Sequence, residues 1–80
     1  MPALRPIPPE QLRDVLVRCG YQVVGEDPFN WLLDRDDPTT RPISIPKLGP
    51  LVAVEVMDRV LDQAKIDNGT YMNALEAATH

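Results

Sequence analysis

Leu12, Val15, Leu16 and Cys19 recur at i, i+3, i+4 and i+7, which is one apolar stripe on a helix. Arg13, Asp14 and Arg18 point to other faces of it. Pro8-Pro9-Glu10 supplies the start: proline at the first helical position forfeits no hydrogen bond, and Glu10 suits the positive end of the helix dipole. Gly20 is a good stop, so the pattern predicts a helix over about 8–19. The period then drops to two. Tyr21-Gln22-Val23-Val24 is rich in strand formers and predicts a strand at about 21–25, broken by Gly25-Glu26-Asp27-Pro28. Phe29, Trp31 and Leu33 alternate with Asn30 and Leu32 in a second strand at about 29–34. A polar turn from Asp34 to Arg41 leads to Pro42-Ile43-Ser44-Ile45-Pro46, a short third strand at about 42–46. The prolines at its ends place it at an edge or trim it.

Lys47-Leu48-Gly49-Pro50 reads as a loop. Leu51-Val52-Ala53-Val54 has strand propensity, but a loop entering a helix is the better fit to the residues after it. Val56, Met57, Val60, Leu61 and Ala64 form a dense helical stripe with Asp58, Arg59, Asp62 and Lys65 outside it, predicting a helix over about 53–66. Asp67-Asn68-Gly69-Thr70 is a break that offers a cap. Tyr71, Met72 and Leu75 mark a last short helix at about 69–77, and the tail Ala77-Ala78-Thr79-His80 is expected to fray. One helix face and one sheet face must cover each other. The expected fold is therefore α+β in the order α-β-β-β-α(-α), a three-stranded antiparallel sheet packed on one side by two helices. Residues 1–80 read as a single domain, with no repeats.

Composition narrows the function classes. With 44% apolar and 25% charged residues the chain is not of the disordered type. Its one cysteine, Cys19, makes no internal disulfide and points to a reducing cytoplasm. Neither a signal peptide nor an apolar run of membrane-spanning length is visible, so no membrane role is expected. The net charge of −4 counts against nucleic-acid binding, which draws affinity from Lys and Arg on phosphates.

Candidate chemistry is sparse. His80, the sole histidine, is the last residue, where nothing holds a base in place. Cys19 lies on an apolar stripe and reads as an inert buried thiol. Asp34, Asp36 and Asp37 resemble a cation loop, but Arg35 intervenes and no glutamate closes it, so a solvated turn is expected. Neither a metal site nor a cofactor is expected. Arg35, Arg41 and Lys47 are the cations that would meet RNA phosphates, against their reading as ordinary surface charge. Trp31 and Phe29 could stack bases, but core packing is the commoner use and both are assigned to the core.

The order of elements resembles the HicA (YcfA) family of bacterial toxins, whose fold is double-stranded-RNA-binding-domain-like. The resemblance covers roughly residues 8–76 and rests on four stretches. Leu12 to Tyr21 is like the family's opening helix, which ends in Gly plus an aromatic. Phe29-Asn30-Trp31-Leu32-Leu33 stands in the place of a Gly-Ser-His segment and the strand after it. Ile43-Ser44-Ile45-Pro46-Lys47 is like a strand ending in Val-Pro, and Val56 to Ile66 resembles the Thr-Leu-x-x-Ile-Leu-x-Gln-Ala-Gly-Leu helix end. The family's histidine is its proposed catalytic group. Here Asn30 stands at that position, with Pro28-Phe29 in place of Gly-Ser, and Lys65 stands where the family has Gly. Asparagine donates and accepts hydrogen bonds but exchanges no proton near neutrality. HicA toxins are usually basic, whereas this chain is acidic. The resemblance implies a toxin–antitoxin-related RNA-binding domain without ribonuclease activity. If RNA is bound, Arg35, Arg41 and Lys47 should converge on one face. The alternative is a protein-interaction module that no longer binds RNA and docks a HicB-like antitoxin or a second copy of itself as a homo-oligomer. An open strand edge and the acidic second helix suit that alternative.

Overall fold

The computed structural model describes residues 4–39 and 41–78. Helix α1 (Pro9–Arg18) starts as its prolines dictate: Pro8 is the N-cap and its carbonyl accepts from the backbone N–H groups of Gln11 and Leu12. It ends where Gly20 takes φ +100°, a conformation that costs glycine nothing. Tyr21 N then donates back to Leu16 O at 3.0 Å, closing the end in the Schellman manner. That turn drops Tyr21 into the core, where it is 1% exposed.

Strands β1 (Gln22–Glu26), β2 (Asn30–Asp34) and β3 (Ile43–Pro46) form an antiparallel meander in the order β1-β2-β3. Leu33 pairs with Ile43 and Trp31 with Ile45, so these four side chains share one face. Leu33, Ile43 and Ile45 are buried there. The opposite face carries the row Gly25–Leu32–Ser44, with Asn30 opposite Pro46 and Gln22 opposite Asp34. Between Val23 and Gly25 the register slips by one, a bulge that leaves Val24 unpaired on the β1 edge.

Helix α2 (Val54–Ala64) covers β3 with Met57, Val60, Leu61 and Ala64, while α1 spans β1 and β3. Val52 enters α2 through a lone bridge to Ile7 rather than a strand. At its C-cap, Lys65 adopts φ 57°, ψ 41°, and Ile66 N donates to Leu61 O at 3.0 Å. Helix α3 (Asn68–Ala78) packs against α1 and buries Tyr71. Asp67 caps it: its Oδ1 accepts from Thr70 N at 2.7 Å and its carbonyl from Tyr71 N at 2.9 Å. The α+β layout thus agrees with the expected one, with helices on one side of a three-stranded sheet.

Two local expectations need correction. Ala77 and Ala78 do not fray but continue α3, where Ala78 packs partly against the core. Thr79 and His80 lie outside the described residues. Phe29 is not in the core but 63% exposed, because it sits in the β1–β2 turn beyond the cover of the helices. Arg13 lies off the buried stripe as expected, and its guanidinium lies 4.7 Å from the centre of the Trp31 ring and covers it.

Candidate interaction face

The β1–β2 turn is built by one carboxylate. Asp27 Oδ1 accepts from the backbone N–H groups of Phe29 and Asn30, each at 2.7 Å, and Asp27 N donates to Asn30 O at 2.9 Å. This fixes Asn30 as the first residue of β2. The bonds from Phe29 and Asn30, aided by the Asn30 side chain and Lys47, hold the Asp27 carboxyl below its ordinary range. Asp27 is therefore an ionised acceptor near neutral pH, a weak base and no acid.

Asn30 and Asp27 line a shallow depression of about 220 Å³ on the open sheet face, together with Gly25, Glu26, Leu32 and Ser44. Its chemistry is hydrogen bonding and apolar contact. Among the described residues there is no histidine near it, and Asn30 supplies no proton transfer. Leu32 stands on the central strand between two small neighbours and is 41% exposed; Val24, on the bulge beside it, is 57% exposed. A second depression lies at the other end of β1, lined by Gln22, Val24, Asp34, Arg35 and Asp36. The uncovered face therefore has an apolar middle, with Asp27 near one end and Asp34 and Asp36 near the other, while Glu26 pairs opposite Trp31 and meets Lys47 on the covered side.

The three candidate RNA contacts do not converge. Lys47 stands at the Asn30 end of β2, where its backbone N–H donates to Phe29 O at 3.0 Å. Arg35 and Arg41 flank the β2–β3 connection at the other end, on the order of 15–20 Å away by strand rise. Lys47 is paired with Glu26 and lies 5.8 Å from the Trp31 ring centre. Arg35 pairs with Asp37 at 3.6 Å and lies 5.7 Å from the Tyr21 ring centre. Arg41 is exposed and in no ion pair among the described residues. It borders a separate cleft with Lys65 and Asp62 on the helix side. Trp31 is half-buried under Arg13 and Lys47, so its ring is not open to a base.

The remaining candidates are structural. Asp34 Oδ1 accepts from Arg35 N at 2.8 Å, and Asp37 Oδ1 accepts from both Thr39 N and Thr39 Oγ1. These bonds tie the carboxylates to the turn. Burial pushes the Cys19 thiol up, only partly opposed by the Arg35 charge, so it stays protonated near neutrality. No helix among the described residues is long and apolar enough to cross a membrane.

Sequence reasoning missed Val24, Gly25 and Leu32 as members of one surface. The signal was present in β2, where Leu32 is apolar on the face opposite Trp31 and Leu33. No family model, no curated protein and no solved structure matches this chain.

Proposed function

We propose that the chain is a non-catalytic interaction domain with a HicA-like layout, which docks a protein partner on the open face of its sheet. One observation carries this reading: the face left uncovered by the helices is apolar at its centre, and the candidate cation that borders it, Arg35, is held by the chain's own Asp37. An exposed apolar patch of this kind marks an interaction surface. An RNA surface needs cations directed at phosphates.

Two features support the family layout. The left-handed backbone at Lys65 falls at the position where the family has Gly, and the left-handed turn at Gly20 comes after the opening helix as in the family. Asn30 opens onto the depression but brings no base, so the reading includes no RNA cleavage. The partner implied by the resemblance is a HicB-like antitoxin in a reducing bacterial cytoplasm, in keeping with the single free cysteine, Cys19.

The class of ligand is tested by an electrophoretic-shift titration with short double-stranded RNA at two salt concentrations. Intact RNA and no saturable shift at micromolar protein are expected. A saturable shift that weakens with salt would replace the protein partner with RNA, and cut RNA would overturn the non-catalytic reading of Asn30.

A further inference from the structure

The open face also constrains what its partner looks like. Resting on the protein-docking reading above, we propose that the segment seated on this face is basic, with an apolar side chain between two cationic ones. The apolar requirement comes from Leu32 and Val24, both exposed, above the floor left by Gly25 and Ser44. The cationic requirement comes from the two ends. Asp27 borders the depression at the Asn30 end; Asp34 and Asp36 border the one at the far end.

Lys47 and Glu26 satisfy each other on the Trp31 side of the sheet, and at the far end Arg35 is already shared with Asp37. Each end therefore keeps a negative excess. The ends are separated by the length of β2 from Asn30 to Asp34, so the partner's cations stand about 13 Å apart. That is the separation of side chains i and i+4 on one face of an extended strand, with an apolar residue at i+2 facing Leu32.

A second copy of this chain is a poor occupant. Each copy carries a net charge of −4, and the same carboxylates border its own face. Like charges brought together across an interface oppose association. Edge-to-edge strand addition is also obstructed. The bulge at Val24 interrupts the β1 edge, and Pro42 and Pro46 remove donors at the ends of β3. The partner lies on the face.

The test is selection of a random-peptide phage library on the full chain, with the enriched peptides then bound to variants. Enriched peptides should carry Lys or Arg on both sides of an apolar residue and lose binding to Leu32→Asp. They should bind the Asp34→Asn/Asp36→Asn double variant about three- to tenfold more weakly, the effect of losing partly exposed ion pairs. Leu32→Thr, which keeps strand propensity, replaces Leu32→Asp if the latter unfolds. Peptides that depend on Leu32 but are neutral or acidic would overturn the charge rule and leave the docking face standing. Peptides indifferent to Leu32, or no enrichment, would overturn both.

Discussion

At Lys65 the backbone turns left-handed, and a side chain with a Cβ pays for it. The strain is worth about 1 kcal/mol relative to glycine at such a helix end. Lys65→Gly should therefore raise the urea midpoint by an amount equivalent to about 1 kcal/mol, with an unchanged slope. Tyr71 carries a different cost. Its side chain is 1% exposed, and its hydroxyl has no hydrogen-bond partner among the described residues. Burial accordingly raises its pKa. Removing an unsatisfied buried hydroxyl while keeping the ring recovers its desolvation cost, so Tyr71→Phe should be more stable by about 1 kcal/mol in the same assay. Core side chains behave in the opposite way. Leu33, fully buried at the centre of the sheet, should cost about 2–5 kcal/mol when cut to alanine. Thermal and urea unfolding of Leu33→Ala checks that figure.

The elements were largely legible because their signals are local. The proline pair at the start of α1, Gly20 after it and the Asp67 break before α3 each fix an end through backbone chemistry. The Asp67 cap has a pH signature. Its bonds to Thr70, the backbone N–H first and the hydroxyl second, form to the ionised carboxylate and hold its pKa below the ordinary value. A depressed folded-state pKa gives stability that is complete above the unfolded value, near ~3.9, and is lost as pH falls through the folded one. Asp67→Ala should lower the urea midpoint at pH 7, and the gap from the native chain should close in acid below that folded pKa. An equal gap at both pH values would mean the cap acts without its charge. The illegible part depends on tertiary cover. Alternation assigns Phe29 to the face of Trp31 and Leu33, but only the fold shows that the helices stop short of it. Sequence spacing likewise places Arg13 outside the α1 stripe without showing that Trp31 waits beneath it.

For the molecule as a whole, the distribution of charge decides more than the total. A net charge of −4 alone leaves room for a local basic patch. Such a patch is not assembled from the candidate cations: Lys47 and Arg35 are tied to Glu26 and Asp37 at opposite ends of the sheet, and Arg41 looks onto a different cleft. The site could not be read in full from the sequence because pairing partners such as Lys47 and Glu26 are 21 residues apart. The surface that remains is the open sheet face around Leu32. Its role is tested most directly by placing a photo-reactive phenylalanine derivative at position 32 and irradiating cells that make the chain. The same group at Asp58, on the exposed side of α2, serves as control. A discrete adduct at position 32, absent from the control, sensitive to protease and resistant to ribonuclease, is the expected result. An adduct removed by ribonuclease, or none beyond the control, would contradict a protein-docking face.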